Sequence, residues 1–311
     1  MSSITQPLAM PRGTAAALAR DYAELIKARV TTLIVMTAWC GFYLGAAQSG
    51  VSSLSWRLLH ALLGIGLVSG GTAAMNEVVE RDIDALMRRT AIRPLVKQSI
   101  GVEQATVLSL AMIFGGLLYL AIATNWLTAG LTLLTSFVYL VAYTPLKKVT
   151  PLCTFVGAFP GAMPPVLGWT AIRGRLEWEA FVLFAILFFW QFPHFHSIAL
   201  LYRDDYERAG IRMLPVVERS GVSTAQAIVV YGLALIPVTV APFLMGISGR
   251  YYFLGAVGLG MAQFYFCLRI WREKLAPSEP RAKLMARQLL QATVLYLPLL
   301  FALMMINSIN Y

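Results

Sequence analysis

The sequence predicts an all-α, polytopic membrane protein with nine transmembrane helices. Hydrophobic residues make up 58% of the 311 residues and charged residues only 13%, whereas a soluble domain carries about 25% charged residues. The apolar residues fall into nine stretches, each long enough for a membrane crossing of roughly 20 residues. Basic residues gather in alternate connections between these stretches, as expected for the two sides of a membrane.

The first three apolar stretches are followed by polar segments of different length. The stretch 29–48 precedes the short sequence QSGVSSLSW, and 58–79 runs directly into the long charged sequence NEVVERDIDALMRRT. The third stretch, 104–123, is followed only by the polar pair Thr124 and Asn125. We therefore expect short connections on one side of the membrane and a long, charged one on the other.

The middle three stretches contain the least regular sequence. The stretch 126–144 ends at the basic sequence YTPLKK, and 178–198 ends just before YRDDYER. Between them, 154–172 holds three prolines and three glycines in VGAFPGAMPPVLGW. These residues predict helix breaks and close approach of neighbouring backbones. The same segment can also form a wide apolar slot for a planar or isoprenoid group, and this interpretation is compatible with tight helix packing.

The last three stretches complete the transmembrane region. They are 224–246, 250–270 and 288–308, and a long basic connection precedes the last of them. We predict that residues 29–311 form a single transmembrane domain and that residues 1–28 form a cytoplasmic N-terminal segment.

The distribution of basic residues predicts the orientation. With the N-terminus in the cytoplasm, 21 of the 25 lysine and arginine residues lie on the inner side, as the positive-inside rule requires. The net charge of +10 is then explained by topology and contact with anionic lipid, so no nucleic-acid partner is predicted. A bacterial inner membrane is the expected location, with the mitochondrial inner membrane as the alternative. The long inner connections hold most of the acids, so function is expected there.

A metal site is predicted at the end of the second stretch. If the helix continues, Asn76, Glu80 and Asp84 are spaced at i, i+4 and i+8 and share one face, with a drift of about 40° per step. Three oxygen-bearing side chains on one stripe can hold a hard cation such as Mg²⁺. The alternative is a charged loop that holds a membrane helix at the interface.

Basic residues follow this stripe and predict a phosphate site beside the metal. Arg89, Arg93 and Lys97 lie within the next turns and can bind phosphate oxygens. Lys147, at the end of the fourth stretch on the same side, can also reach a phosphate, or can simply flank the membrane on its positive side. The combination predicts a site for a diphosphate and Mg²⁺.

A second acidic segment follows the sixth stretch. Asp204 and Asp205 lie beside Arg208 in YRDDYERAGIRMLPV, and this segment emerges on the same membrane face as the first. Packed side by side, the two segments can hold one diphosphate through bridging metal ions. Either of the two aspartates can serve as the metal ligand. An interfacial loop is again the alternative.

Four motifs, in this order, resemble those of the UbiA-type superfamily of intramembrane prenyltransferases, and within it the enzymes that farnesylate protohaem. They are NxxxExDxDxxMxRTxxRP, YTPLKKxTPxxTxVGAxPGAxPPxxGW, WQxPHFxxxA and DYxxAGxxMLPV, and the resemblance covers roughly residues 25 to 305. It implies a nine-helix bundle and metal-diphosphate roles for five residues: Asn76, Glu80, Asp84, Asp205 and Tyr206. Basic positions near the diphosphate are implied for Arg89, Arg93 and Lys147. Glutamates at 77 and 80 depart from the aspartates common in the superfamily.

The resemblance also implies the reaction and its partners. A farnesyl group would pass from farnesyl diphosphate to a vinyl group of protohaem with addition of water, Mg²⁺ would assist, and a haem A synthase would act next. His194 matches the histidine before the second acidic motif and is expected either to bind haem or to form a structural hydrogen bond. Transfer to a quinone or chlorophyll-type acceptor is the alternative enzyme, and an ion-coupled transporter is the alternative outside enzymes.

Overall fold

The computed structural model describes residues 14–273 and 275–309, and all its regular secondary structure there is helical. Nine helices in this part of the chain are long and apolar enough to cross a membrane, which confirms the predicted fold class. Of the predicted N-terminal segment 1–28, the residues before Thr14 lie outside the described ranges, and the rest begins with a short helix. The helices, in chain order, are α1 (Ala15–Leu25), α2 (Ala28–Ala47), α3 (Trp56–Asp84), α4 (Val102–Ala123), α5 (Trp126–Phe137), α6 (Thr144–Leu146), α7 (Cys153–Ala162), α8 (Pro164–Arg173), α9 (Trp178–Leu201), α10 (Arg203–Arg208), α11 (Leu214–Val217), α12 (Val222–Leu244), α13 (Arg250–Glu273) and α14 (Pro280–Ile306).

Two helices extend well beyond their predicted bounds. α3 continues to Asp84 rather than ending at 79, because its last polar side chains find partners inside the protein. α14 begins at Pro280 rather than at 288, since proline fits the first turn of a helix, where its missing N–H is not needed. The extra turns of both helices carry charged residues, which apolar length alone cannot place.

The proline- and glycine-rich segment is broken at Met163, between α7 and α8, as predicted. α8 then packs directly on the backbone of α2. A Cβ atom added to Gly168 would lie 1.8 Å from the carbonyl oxygen of Ala38, and one added to Gly41 would lie 1.9 Å from that of Pro165. These contacts confirm the expected close backbone approach, and any larger residue at either glycine would force the helices apart.

A π-helix, Val138–Tyr143, follows α5 and was not predicted. Its wide turn is closed by Thr144, whose hydroxyl donates to the carbonyl oxygen of Tyr139 across 2.8 Å. The same threonine lies beside Asn76 of α3, whose amide donates to it across 3.1 Å. Such π-turns within helices occur frequently at functional sites, and this one sets the position of the short α6 and of Lys147 after it.

The long helices form one bundle with several buried clusters. α3 packs between α2 and α4, while α9 packs against α7, α12 and α14. The largest cluster of buried residues lies among α8, α9, α13 and α14 and includes Trp169, Tyr252 and Tyr296. The C-terminal ends of α3, α6 and α9 all lie at one end of the bundle, joined by the contacts described below. We call this the site end and the opposite end the far end.

Candidate active site

The predicted stripe on α3 exists and is buried. Asn76, Glu80 and Asp84 are all within the last turns of the helix, and their exposed fractions are 1%, 6% and 1%. Buried charges require partners, because removing a carboxylate from water is costly. Each of the three side chains has such a partner in another part of the chain.

Glu80 is paired with Lys147. The ammonium group lies 2.7 and 2.9 Å from the two carboxylate oxygens, and it also lies 4.6 Å from the ring centroid of Tyr143. Lys147 therefore points into the bundle rather than outward, whereas its neighbour Lys148 is exposed. Of the two roles considered for Lys147, the geometry favours an inward one beside the acidic stripe.

Asp84 is paired with Arg93, whose Nη1 donates to its Oδ2. The turn between them is held by Thr90, whose hydroxyl donates to the carbonyl oxygen of Asp84 across 2.8 Å. This bond satisfies one of the carbonyl groups that a helix leaves free at its C-terminus. The loop after α3 thus folds back and directs Arg93 towards the stripe.

Asn76 is held by a residue that the sequence did not single out. The ammonium group of Lys27 donates to Oδ1 of Asn76 across 2.8 Å. Lys27 precedes α2 with a left-handed backbone, φ 48° and ψ 52°, an uncommon conformation for a residue with a side chain. Burial, together with the charges of Arg93 and Lys147, lowers the pKa of Lys27 to about 7. In these surroundings an anionic ligand would stabilise the charged form of Lys27.

Glu77 is a second residue that the sequence analysis did not place in the site. Its exposed fraction is 0%, and neither carboxylate oxygen has a hydrogen-bond partner in the described residues. Arg93 and Lys27 are close enough to act on it electrostatically. On the helix it lies seven residues before Asp84 and shares the same face. The sequence signal for it was the resemblance, in which Glu77 stands where the superfamily commonly has an aspartate.

The acids of α3 carry the type of donor that a magnesium ion prefers, although no three of them converge into a ligand group in the described residues. The donors are all oxygen atoms, which Mg²⁺ prefers, and a buried carboxylate without a partner is costly unless a cation joins it. Glu77 is that carboxylate. Three carboxyl groups, those of Glu77, Glu80 and Asp84, thus lie beside three basic groups, those of Lys27, Arg93 and Lys147. This group of side chains could therefore exchange its internal ion pairs for a metal and a phosphate ligand.

The second acidic segment joins the first through Tyr206. Nη2 of Arg89 donates to the hydroxyl oxygen of Tyr206 across 3.3 Å, and the guanidinium lies 5.5 Å from the ring centroid of Tyr202. Beneath this contact, Met87 and Tyr206 belong to one buried apolar cluster. The N–H of Arg212 donates to the carbonyl oxygen of Lys147 across 2.7 Å. All three segments thus meet at the site end.

Several predicted residues lie outside the buried group. Asp204 is half-exposed and pairs with Lys283 of α14 across 2.7 Å, and Asp205 pairs with Arg208 on its own short helix. Lys97 is exposed. Among residues 14–273 and 275–309, no three acidic, histidine or cysteine side chains converge into a metal site. The structure therefore does not bring the two aspartates into one ligand set with the α3 stripe.

The two neighbouring histidines of α9 face different partners. Nδ1 of His194 lies 2.9 Å from the hydroxyl oxygen of Thr293 on α14, so the predicted hydrogen bond to a neighbouring helix is present. His196 is buried, and its Nδ1 donates to the carbonyl oxygen of Phe192 across 2.7 Å. Of these two, only His194 is partly exposed.

Comparison with known proteins places the chain in a family. The model of the UbiA prenyltransferase family matches residues 34–306. A relative from Koribacter versatilis named protoheme IX farnesyltransferase is 67% identical, over 99% of each chain.

Two solved structures share the fold. A digeranylgeranylglyceryl phosphate synthase has a TM-score of 0.74 at 14% identity, covering 94% of this chain and 98% of that one. A UbiA homologue from Archaeoglobus fulgidus, solved with DMAPP and Mg²⁺, has a TM-score of 0.62 at 17% identity, covering 91% and 99%. This chain belongs to the UbiA prenyltransferase family.

Proposed function

We propose that this protein transfers the farnesyl group of farnesyl diphosphate to a vinyl group of protohaem. A carbon–oxygen bond to diphosphate breaks, and a bond forms between the farnesyl carbon and the terminal vinyl carbon. Water then adds to the inner vinyl carbon and loses a proton, so the product is a hydroxyethyl farnesyl porphyrin plus diphosphate. No oxidant or reductant is needed.

The observation that carries the proposal is the cluster of buried acidic and basic groups at the end of α3. Three acids and three bases lie together at the site end, and one acid, Glu77, makes no hydrogen bond within the described part of the chain. An ion-coupled transporter would hold its acids near the middle of the membrane, whereas these lie in the last turns of a long helix. The choice of haem as acceptor is supported by the relative that is 67% identical and named protoheme IX farnesyltransferase.

The residues of the site have distinct roles in this reaction. Asn76, Glu77, Glu80 and Asp84 would hold Mg²⁺, which neutralises charge on the departing diphosphate. Lys27, Arg89, Arg93 and Lys147 bind phosphate oxygens, so that countercharge is already in place where negative charge develops. Asp205 and Tyr206 support this group from the second segment, and Arg208 holds Asp205.

The allylic cation left by the diphosphate must be kept from water until the vinyl carbon attacks. The helices around the site supply apolar surroundings, and the acceptor itself is a large planar ring with two carboxylates. The product keeps its porphyrin, so an oxidising enzyme of the haem A synthase type is the expected next partner. The farnesyl group and the porphyrin that receives it thus stay in or at the membrane from one enzyme to the next.

We place the site end in the cytoplasm of a bacterial cell, with the N-terminus on that side. Among residues 14–273 and 275–309, basic residues concentrate there, and only Arg57, Arg173, Arg175 and Arg250 lie towards the far end. Cysteine substituted at Arg88 and Glu207 should react with an impermeant reagent only from inside, and cysteine at Gly174 only from outside. Labelling of Arg88→Cys and Glu207→Cys from opposite sides would contradict the arrangement.

The transfer reaction has a direct test. Membranes containing the protein are incubated with farnesyl diphosphate, Mg²⁺ and either protohaem or a quinone precursor, and products are identified by mass spectrometry. A farnesyl hydroxyethyl porphyrin should form, and it should not form with Asp84→Asn. A prenylated quinone precursor without the porphyrin product would replace the proposed acceptor.

A further inference from the structure

Three side chains form a fixed unit where α9 packs against α14. Nδ1 of His194 lies 2.9 Å from Oγ1 of Thr293, and Nε1 of Trp190 donates to the main-chain oxygen of the same threonine across 2.9 Å. The rings of Trp190 and His194 stack, with centroids 4.6 Å apart and 22° between their planes. One hydrogen bond and one ring contact therefore hold the imidazole in place.

The contact with Thr293 sets which nitrogen of His194 carries the proton. Oγ1 of Thr293 donates its single proton to the carbonyl oxygen of Leu290, 2.7 Å away on the same helix. The oxygen must then accept from Nδ1–H of His194. A neutral imidazole carries only one N–H, so Nε2 has a lone pair. A neutral ring nitrogen with a lone pair is the form that binds metal ions.

Nε2 of His194 is available to a ligand. It makes no hydrogen bond in the described part of the chain, and it is not among the enclosed unpaired atoms there. The sequence contains only three histidines. Nδ1 of His60 lies 2.6 Å from the hydroxyl of Tyr119 towards the far end, and His196 is buried. His194 is thus the histidine that a membrane-embedded ligand can reach at the site end.

We propose that Nε2 of His194 is an axial ligand to the iron of protohaem, and that Thr293 is a positioning residue that holds the imidazole in the required tautomer. The inference rests on the proposed function, since it needs an iron porphyrin as acceptor. His194 lies seven residues before the end of α9 at Leu201, about 10 Å along the helix, so the iron lies deeper in the bundle than the diphosphate. The N–H···O bond to Thr293 also makes Nε2 a better ligand.

The test uses the purified full-length protein with protohaem alone. Resonance Raman spectra of the ferrous form should contain an iron–imidazole stretching band in the wild type, and His194→Ala should lose it. Thr293→Val should keep the band at a lower frequency and weaken haem binding by about tenfold or more, because the N–H donor loses its acceptor. Thr293→Ser keeps the acceptor and should match the wild type. His60→Ala is the control and should change nothing.

Each outcome decides one part of the inference. A wild-type spectrum without a histidine-ligated iron, or an unchanged band in His194→Ala, overturns the ligand role. Wild-type frequency and affinity in Thr293→Val overturn the positioning role. If that variant does not fold, Thr293→Ala and Thr293→Ser provide the same comparison. Farnesylated porphyrin formed without the band overturns this inference alone, whereas the band without any product overturns the proposed function alone.

Discussion

Arg89 in the loop after α3 donates a hydrogen bond across 3.3 Å to the hydroxyl oxygen of Tyr206, which lies 117 positions later in the chain. The same guanidinium lies 5.3 Å from the ring centroid of Tyr206 and 5.5 Å from that of Tyr202. One arginine therefore joins the two motifs that surround the proposed diphosphate site. Its remaining N–H groups can turn to a phosphate without breaking the ring contacts.

The contact between Arg89 and Tyr206 predicts that substitutions at these two residues have unequal effects on catalysis. Tyr206→Phe removes one hydrogen bond but keeps the ring, so kcat/KM should fall by about two- to tenfold. Arg89→Met removes the cation as well and should raise KM for farnesyl diphosphate by about tenfold or more. Steady-state kinetics with Arg88→Met, an exposed neighbour, as control would check this. An effect of Tyr206→Phe as large as that of Arg89→Met would assign the hydroxyl a role in the chemistry.

Replacement of Glu77 should change how the melting temperature responds to Mg²⁺, and replacement of Asp84 should lower turnover. In EDTA, Glu77→Gln should match or exceed the wild type in melting temperature, because it removes a buried carboxylate without a partner. Added Mg²⁺ should then raise the melting temperature of the variant less than that of the wild type. Asp84→Asn should also lower turnover by at least about a hundredfold, since loss of an outer-shell partner alone costs about 10- to 100-fold.

The control for this experiment lies on the same helix. Asp82 is exposed and, among the residues that the structure describes, pairs only with Arg81, so Asp82→Asn should behave as the wild type in both buffers. A Mg²⁺-dependent rise in melting temperature that is the same in wild type and Glu77→Gln would remove Glu77 from the metal site.

Lys27 should matter as much as the basic residues of the recognised motifs. Lys27→Met keeps the length of the side chain but removes the ammonium that donates to Asn76, so KM for farnesyl diphosphate should rise by about tenfold or more. Arg29→Met, an exposed basic residue two positions later, is the matched control. Equal kinetics for the two variants would show that Lys27 only flanks the membrane.

A comparison of these residues shows which parts of the site can be predicted from the sequence. The α3 stripe was predictable because helical spacing is local: Asn76, Glu80 and Asp84 share a face wherever the helix lies. Lys27 was not, because a lysine before an apolar stretch has the same sequence signature whether it flanks the membrane or turns inward. Its role comes from a contact across 49 positions, as the role of Thr293 comes from one across 99.

The direction in which side chains point from a short helix is a second feature that the sequence does not predict. Asp204 and Asp205 are adjacent, so about 100° separates their side chains around the helix axis. Which of them faces the protein depends on where α10 begins, and α10 begins only after a break at Tyr202. Asp204 faces outward to Lys283, while the side chain of Asp205 is mostly buried. The sequence could name the pair but not choose between its members.

The far end should show a distinct response to acid, through Glu177 in the connection between α8 and α9. Its carboxylate accepts hydrogen bonds from Arg173 and, across 2.9 Å, from the indole nitrogen of Trp169. The hydrogen bonds from Arg173 hold the pKa of Glu177 at about 2, below the usual 4.5. In the unfolded chain the carboxylate therefore binds a proton more readily than in the folded protein.

The sign of the effect follows from linkage. The stabilisation from Glu177 is complete above about pH 4.5 and is lost as the pH falls towards 2. The melting temperature in detergent should thus fall more steeply over that interval for the wild type than for Glu177→Gln, which should already melt lower at pH 7. Glu179→Gln, a neighbour without an ion pair in the described residues, should follow the wild type. Parallel curves for wild type and Glu177→Gln between pH 4.5 and 2 would contradict the prediction, because the pH dependence would then arise elsewhere in the bundle.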